Sequence, residues 1–206
     1  MSVRALLASP HVYIALQKLI GGVAARQICL DDLHPRAGER VLDVGCGPAY
    51  YVKDLPPLDY HGFDTDPRYI AHARARFGDR GHFHCQPFDG QQARRLGPFD
   101  GVLLMGLLHH LDDDACAELL ADVAASLAPG GRVVALDTAV HDAQGPLSRR
   151  LALKDRGEHV RHPEAFTALA ERAFCSVEGR LLRLPRAPSI YWEMTMRAPR
   201  PSTAVA

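Results

Sequence analysis

The chain has 206 residues, of which 47% are hydrophobic and 23% charged, a composition typical of one sizeable globular domain. The chain has 24 lysine and arginine residues and 24 aspartate and glutamate residues, so its formal net charge is zero. This argues against a nucleic-acid-binding protein, although a local basic patch is compatible with the sequence. The five cysteines are far apart and form no CxxC pair, which argues against a disulfide framework and a structural zinc site. We therefore expect a reducing, cytoplasmic compartment.

The first predicted element is an amphipathic N-terminal helix. Apolar residues at positions 12, 16, 19, 20 and 23 recur at helical spacing. We expect this helical segment, residues 1–34, to pack on the rest of the domain or to serve as a lid. Polar residues such as Lys18 and Arg26 interrupt the apolar stretch 12–30, which is therefore predicted to be neither a signal segment nor a membrane span.

Strand-like and helical segments then alternate. A strand ending near Gly45 is followed by a short predicted helix, a second strand ends at Asp64, and Pro67 opens the next helix. Three more strands are predicted at residues 82–85, 99–105 and 131–137. The fourth connection is a helix that Asp112 caps and that residues 129–131 end. This alternation predicts βαβ units and a parallel sheet.

The chain after residue 139 follows a different pattern. Helices are predicted at residues 146–155 and 163–173, and strand-like runs at 175–184 and 190–197. These two runs resemble a hairpin that would close the sheet with antiparallel strands. We expect one domain over residues 1–198, with a central core at 40–138, further helices and strands at 139–198, and a flexible tail at 199–206.

Two glycines directly follow the first predicted strand, in VLDVGCGPAY. At Gly45 and Gly47 the backbone can approach a nucleotide-like ligand closely, and the next helix points its N–H groups there. Asp64 ends the following strand, about twenty residues on, where a carboxylate can accept hydrogen bonds from both ribose hydroxyls. The alternative is a tight turn that binds no ligand. Because the glycine turn and Asp64 both point to a nucleotide-like ligand, this alternative is the weaker interpretation.

The spacing of this loop argues against NAD. A GxGxxG loop needs a third glycine at position 50, where the chain has Tyr50, and Pro48 removes an N–H that could face a pyrophosphate. An adenosine ligand without phosphates needs the close turn and the ribose carboxylate but no anion cradle. We expect such a ligand, with Asp43 holding a positive charge through water or the turn backbone.

Five blocks between residues 40 and 138 stand in an order known from one enzyme family. They are VLDVGCGPAY, GFDTDPRYI, CQPFDG, FDGVLLMGLLHHL and LAPGGRVVALD. In these blocks the chain resembles class I S-adenosylmethionine-dependent methyltransferases. The later segment DRGEHVRHPEAFTALAERAF also looks like a signature of small bacterial members that act on small molecules. The resemblance implies an α/β fold with a Rossmann-like, seven-stranded, mostly parallel sheet, helices on both faces and an antiparallel C-terminal strand. Ala49 departs from the family pattern, because a third glycine is common there, and its methyl group should slightly tighten the loop.

The resemblance also implies which residues bind the cofactor S-adenosyl-L-methionine and its product S-adenosyl-L-homocysteine. Around the methionine moiety, the ribose and the adenine it places Asp43, Gly45, Cys46, Gly47, Asp64, Thr65, Asp89, Gly90 and Met105. Asp64, on the ribose, is the strongest of these assignments. Asp89 fits equally well as a turn residue, and a methionine at a strand end such as Met105 is more often part of a core.

Two histidines follow the fourth strand and supply the candidate catalytic groups. Methyl transfer from a sulfonium is a direct displacement, so a base is needed only if the acceptor carries a proton. His109 is the first candidate base and His110 the second, and Asp137 ends strand five on the same sheet edge, where it could orient the imidazole. A helix start with packed histidines is the alternative, and adjacent histidines lack the spacing of metal ligands.

A basic cluster near residue 160 supplies candidate substrate residues. We expect Arg156 or Arg161 to bind an anionic or polar acceptor, although a solvated helix face explains these charges equally well. We expect a small-molecule acceptor, methylated at O, N or C, and no nucleic-acid or membrane partner. A non-catalytic or regulatory protein that binds the cofactor, and a methyltransferase acting on protein or RNA, are the alternatives. The zero net charge and the lack of an Asn/Asp-Pro-Pro-Tyr/Phe motif argue against RNA.

Overall fold

A seven-stranded sheet forms the centre of the computed structural model, which describes residues 9–19, 22–153, 158–184, 187 and 189–201. The strands are β1 (Arg40–Val44), β2 (Asp59–Asp64), β3 (His82–Cys85), β4 (Phe99–Met105), β5 (Leu127–Ala139), β6 (Phe174–Leu182) and β7 (Ile190–Pro199). Their order in the sheet is β3-β2-β1-β4-β5-β7-β6. The first five strands are parallel, and β7 lies antiparallel to β5 and β6. The predicted fold class is confirmed.

Seven helices flank this sheet in the described part of the chain. They are α1 (Pro10–Leu19), α2 (Gly22–Leu33), α3 (Pro67–Phe77), α4 (Gly90–Leu96), α5 (Asp113–Ala125), α6 (Pro146–Leu153) and α7 (Pro163–Ala170). The predicted N-terminal segment thus contains two helices, and positions 20 and 21 between them lie outside the described residues. In the described ranges no helix has both the length and the apolar character needed to span a membrane.

The starts of two helices follow the local sequence. Asp66 caps α3 by accepting a hydrogen bond from the Arg68 N–H, and Pro67 occupies the first turn, where no N–H is needed. Asp112 caps α5 in the same way, with the Ala115 N–H as donor at 2.9 Å. The predicted helix start at Pro67 and the predicted Asp112 cap are confirmed.

The end of α5 differs from the prediction that residues 129–131 terminate this helix. The helix ends at Ala125, and β5 already begins at Leu127, which pairs with Phe99 before the register shifts toward Gly101. Residues 129–131 therefore belong to the first part of a long, irregular strand. The reason is that the Ser126 carbonyl accepts a hydrogen bond from the Phe99 N–H, which draws the chain into the sheet at once.

The connection from β1 to β2 also differs from the prediction of a short helix. It contains only a 3₁₀ turn, Val52–Asp54. Pro56 and Pro57 follow it, and proline cannot continue a helical hydrogen-bond pattern, so the turn ends there. A ligand at this loop would therefore contact individual backbone groups and side chains. The N–H groups at the start of a full α-helix are not present in this connection.

Two apolar cores lie on opposite faces of the sheet. Helices α4, α5 and α7 cover one face, where Leu42 and Val44 of β1 point. Helices α2 and α3 cover the other face together with Val41. Since side chains alternate along a strand, Asp43 shares the face of Val41 and lies under α2. The carboxyl ends of β1, β2, β4 and β5 meet at one edge, where the cavities described next are located.

Candidate functional site

A cavity of about 600 Å³ lies at the carboxyl ends of β1, β2 and β4. Its wall includes six of the nine predicted cofactor residues, namely Gly45, Gly47, Asp64, Thr65, Asp89 and Met105. Asp43, Cys46 and Gly90 do not line it. The volume is within the range of ligand sites, roughly 300–1,000 Å³.

The glycine loop forms one wall of this larger cavity. Gly45 and Gly47 adopt φ values of +79° and +56°, in the left-handed region that favours glycine. The amides of Gly45 and Cys46 both donate to the Phe63 carbonyl, at 2.8 and 3.0 Å, which ties the turn to β2. Ala49 shares this left-handed conformation, with φ of +50°, so the position is one where glycine would be less strained. The loop presents bare backbone to the cavity.

Asp64 lies at the end of β2 beside this loop. Its Oδ2 accepts a hydrogen bond from the Gly47 N–H at 2.9 Å, and its Oδ1 accepts one from the Asp66 N–H at 2.8 Å. Burial raises the pKa of Asp64, and these backbone hydrogen bonds only partly offset that effect. A carboxylate oxygen has two acceptor sites, so each oxygen retains capacity for a ligand hydroxyl. Asp64 therefore fixes the loop and faces the cavity at once.

Three further predicted cofactor residues shape this region. Asp89 lines the cavity and also caps α4, where its Oδ1 accepts from the Gln92 N–H at 2.9 Å. Gly90 lies behind the wall, and a side chain there would meet Asp122 Oδ1 at 2.8 Å. Cys46 is buried, with its Sγ 3.5 Å from the Gly47 carbonyl oxygen. Asp89 thus contributes its side chain to the cavity, whereas Gly90 and Cys46 allow close packing beneath it.

Asp43 is buried below the loop, on the side of α2. The Tyr60 hydroxyl donates to its Oδ2 at 2.6 Å, and its Oδ1 has no hydrogen-bond partner among the described residues. Burial raises the pKa of Asp43 to about 7, against the opposing effects of the Tyr60 hydrogen bond and the Arg26 charge. The carboxyl group therefore lies beneath the loop and does not line the larger cavity.

The raised pKa of Asp43 makes stability depend on pH. Between its ordinary pKa of 3.8 and about 7, the folded protein holds a proton that the unfolded chain releases. The free energy of unfolding is therefore expected to fall by a few kcal/mol as pH rises from 4.5 to 7.5. Urea titrations at several pH values measure it, and Asp43→Asn, which keeps an acceptor for Tyr60, should remove most of the fall. An equal fall in this variant would assign the effect to other groups.

A second cavity, of about 350 Å³, adjoins the first. Tyr13, Met105, Gly106 and His110 line both cavities, so the two meet at the end of β4. The wall of the smaller cavity also includes residues of α2, the 3₁₀ turn Leu108–His110 and β5, among them Arg26, His109 and Thr138.

The structure brings the predicted pair of His109 and Asp137 together at this smaller cavity, whose wall includes His109 but not Asp137. His109 Nδ1 lies 2.6 Å from Asp137 Oδ1, and the His109 amide donates to the same oxygen at 3.1 Å. Both residues are buried. An ionised carboxylate only accepts hydrogen bonds, so the imidazole hydrogen belongs on Nδ1, and Nε2 is the proton-accepting nitrogen. The ring of His110 packs 4.2 Å from that of His109 and lines both cavities.

The two predicted substrate arginines have different outcomes. Arg156 lies outside the described residues. Arg161 is buried, and its guanidinium donates to the carbonyls of Leu108 and Leu111 and to Asp113 Oδ1, at 3.0, 2.6 and 2.8 Å. It lines neither cavity. The geometry therefore favours a positioning role for Arg161, which holds the turn that carries His109, and does not favour substrate binding by this residue.

Arg26 of α2 is a functional candidate that the sequence did not reveal. Its guanidinium is buried over the rings of Tyr50 and Tyr51, 4.7 and 4.4 Å from their centroids. Nε and Nη1 have no hydrogen-bond acceptor among the described residues. Unpaired N–H groups on a buried cation cost free energy, and Arg26 stands at the wall of the smaller cavity, so it is a candidate for binding a ligand there. An arginine within the apolar stretch 12–30 was the available signal.

Comparisons with known proteins show what this chain and its fold are similar to. Residues 42–133 match the family model of a methyltransferase domain. Over these residues, which are less than half of the chain, the sequence is similar to methyltransferase domains, and the predicted resemblance is confirmed. Phosphoethanolamine N-methyltransferase 2 of Haemonchus contortus, solved in complex with S-adenosyl-L-methionine, superposes with a TM-score of 0.71 at 16% identity, over 97% of this chain and 60% of that one. At 16% sequence identity, this structural similarity is evidence for a shared fold alone.

Relatives in sequence include two kinds of transferase. The ubiquinone biosynthesis O-methyltransferase of Xylella fastidiosa (strain 9a5c) is 34% identical over 109 residues, or 48% of this chain and 42% of that protein. A tRNA U34 carboxymethyltransferase of Pseudoalteromonas translucida (strain TAC 125) is 30% identical over 116 residues, or 54% and 35% of the two chains. The chain thus spans less than half the length of these curated relatives. The domain family uses S-adenosyl-L-methionine, which confirms the predicted cofactor at the level of the family.

Proposed function

We propose that this protein transfers a methyl group from S-adenosyl-L-methionine to a small-molecule acceptor, and that it does so in the cytoplasm. The observation that supports this most is the pair of adjoining cavities. The wall of one includes the glycine loop and Asp64, and the wall of the other includes His109, whose ring is paired with the buried Asp137. A cofactor and an acceptor need neighbouring sites of this kind, because the methyl group passes directly from one to the other.

The residues of the larger cavity fit an adenosyl group. Asp64 offers carboxylate oxygens to the ribose hydroxyls, and the bare backbone at Gly45 and Gly47 lets the ligand approach the loop closely. Asp89 stands on the same wall, where it can accept hydrogen bonds from the adenine. When bound, the cofactor supplies a methyl group on a positively charged sulfur. The protein then has to align the acceptor atom, the methyl carbon and the sulfur.

His109 is proposed as the base that removes a proton from an acceptor hydroxyl. Asp137 fixes the ring through Nδ1, so Nε2 receives the proton, and the carboxylate stabilises the imidazolium that results. Arg161 keeps the turn in place through the carbonyls of Leu108 and Leu111. A proton-bearing acceptor of this type favours O-methylation, in agreement with the similarity to the ubiquinone biosynthesis O-methyltransferase.

Arg26 is proposed to bind the carboxylate at the methionine end of the cofactor, which would extend from the larger cavity to the wall of the smaller one that includes Arg26. Arg26→Met is expected to weaken binding of S-adenosyl-L-homocysteine by at least about tenfold, the scale of losing a buried charged hydrogen bond. The free energy of unfolding should change by less than about 1 kcal/mol, because the lost cation–π stabilisation is offset by removal of a buried cation with two N–H groups that lack acceptors. Calorimetry and urea titration measure the two quantities, with Arg26→Lys as a charge-retaining control. Unchanged affinity with lost stability would assign Arg26 to packing alone.

The experiment that tests the proposed function is release of S-adenosyl-L-homocysteine during incubation with pooled metabolite extracts. We expect release that depends on the extract, and fractionation of the extract then identifies the acceptor. Binding of the cofactor without release across broad extracts would support a non-catalytic or regulatory protein. No binding of either compound would refute the proposal.

A tRNA acceptor is the second candidate, because several relatives are tRNA U34 carboxymethyltransferases. The zero net charge of the chain does not favour binding to a phosphate backbone. Adding total tRNA to the same assay separates the candidates. Release that requires tRNA and falls steeply with salt would favour the nucleic-acid acceptor over the small molecule.

A further inference from the structure

Side chains with metal-ligating atoms gather at the opposite edge of the sheet from the cofactor cavity. Asp59 is the first residue of β2, and His61 stands two positions later on the same face. His82, the first residue of β3, pairs with His61 in parallel register. Residues paired in this way point to the same face of a sheet, so the strand register itself places the three side chains together.

In the Asp59–His61–His82 cluster, the two distances from the Asp59 oxygen to the histidine nitrogens are close to those of a tetrahedral metal site. Asp59 Oδ1 lies 3.1 Å from His61 Nε2 and 3.7 Å from His82 Nε2, and the three ligand atoms lie within 4.8 Å of one another. Metal–ligand bonds of about 2.0–2.2 Å in tetrahedral geometry separate ligand atoms by roughly 3.3–3.5 Å. The distances to the Asp59 oxygen bracket this value, so small side-chain rotations suffice.

Neighbouring groups orient the side chains of the cluster. Asp59 Oδ2 accepts from Arg40 Nε at 2.8 Å, which leaves Oδ1 for a monodentate bond. His61 Nδ1 lies 3.4 Å from His84 Nε2, and donation to His84 would leave the His61 Nε2 lone pair toward the cluster. Arg40 Nη2 also lies 3.5 Å from His61 Nε2, and its charge opposes a cation, so the affinity is expected to be moderate.

We propose that Asp59, His61 and His82 bind one divalent transition-metal ion of the Zn²⁺ type, with water completing the coordination. Two imidazoles and one carboxylate suit Zn²⁺, Ni²⁺ or Cu²⁺ rather than Mg²⁺ or Ca²⁺, which prefer oxygen ligands. The ion would join the sheet-edge strand β3 to β2 and stabilise that edge. This proposal does not depend on the proposed function, because cofactor residues such as Asp64 stand at the other end of the strands.

Calorimetric titration of the tag-free, chelator-treated protein with Zn²⁺ tests the proposal. We expect one ion per chain and a melting temperature that rises with Zn²⁺ concentration. His82→Ala, at an exposed position, should bind Zn²⁺ at least about tenfold more weakly and lose the thermal shift. Losing a hydrogen-bond partner of a metal ligand already lowers metal affinity by about tenfold or more, and losing the ligand itself should lower it further. His162→Ala, at another exposed histidine, should behave as the unchanged protein does.

Two further readouts separate this site from other sources of metal binding. The exposed thiols of Cys85 and Cys175 are alternative ligands, so Cys85→Ser with Cys175→Ser should retain the Zn²⁺ affinity. Binding of S-adenosyl-L-homocysteine should be unaltered in His82→Ala, which keeps the test independent of the cofactor site. Absence of Zn²⁺ binding, equal binding by His82→Ala, or loss of binding in the cysteine variant would each overturn the proposal.

Discussion

Replacing His109 with asparagine is expected to lower kcat by about 10²- to 10⁴-fold, the usual contribution of a positioned general base. His109 is buried, and its Nδ1 lies 2.6 Å from Asp137 Oδ1. Asparagine is smaller than histidine, so His109→Asn removes the proton-accepting nitrogen without overfilling this space. Binding of S-adenosyl-L-homocysteine should change little, because its proposed contacts are the glycine loop, Asp64, Asp89 and Arg26, and His109 is not one of them. Steady-state kinetics with the acceptor identified from extracts, together with calorimetry, measure both quantities.

Two variants control this prediction. Asp137→Asn keeps the shape of the pair but no longer favours the hydrogen on Nδ1, so it should also lower kcat and leave cofactor affinity intact. His162→Asn changes a histidine that is exposed and lies outside both cavities, and it should leave kcat unaltered. Activity of His109→Asn equal to that of the unchanged protein would show that the acceptor needs no base, and that the pair is structural.

Replacing Asp64 with alanine is expected to weaken cofactor binding by about 1–3 kcal/mol, or roughly 5- to 150-fold, the scale of losing hydrogen bonds to a charged acceptor. The change removes the proposed ribose contact and also the acceptor for the Gly47 and Asp66 amides. Calorimetric titration with S-adenosyl-L-homocysteine gives the dissociation constant.

The Asp64 prediction needs a control because the substitution also loosens the loop. Asp66→Asn alters the neighbouring carboxylate, which caps α3 and does not line the cavity, so cofactor affinity should stay within about twofold of the original, a difference below 1 kcal/mol. Asp64→Asn retains an oxygen for one backbone amide, and we expect an intermediate dissociation constant. An unaltered dissociation constant in Asp64→Ala would remove this residue from the site.

The parts of the site that sequence predicts well are those fixed by one strand and its following turn. Gly45, Gly47 and Asp64 are close in sequence to buried strands, and the strand pattern alone places them at one sheet edge. The topology places His109, in the turn after β4, and Asp137, near the carboxyl end of the neighbouring parallel strand β5, at the same sheet edge, whereas their contact is seen only in the structure.

The parts that sequence does not predict depend on packing between distant segments. Arg26 enters the site because α2 lies across the sheet face that carries Asp43, and no local pattern specifies that contact. The charge of Arg161 indicated an exposed or substrate-binding residue, yet the carbonyls of the 3₁₀ turn before α5 need buried donors, and this arginine supplies them. The expected helix after Gly47 is missing because Pro56 and Pro57 limit the connection to one short turn.

A crystal structure with S-adenosyl-L-homocysteine bound is the most direct test of the account. It should show the ribose hydroxyls within hydrogen-bond distance of Asp64, the adenine in the larger cavity beside Asp89, and the sulfur facing the smaller cavity that contains His109. A ligand bound elsewhere, or one whose sulfur faces away from His109, would contradict the proposed division of the two cavities between cofactor and acceptor.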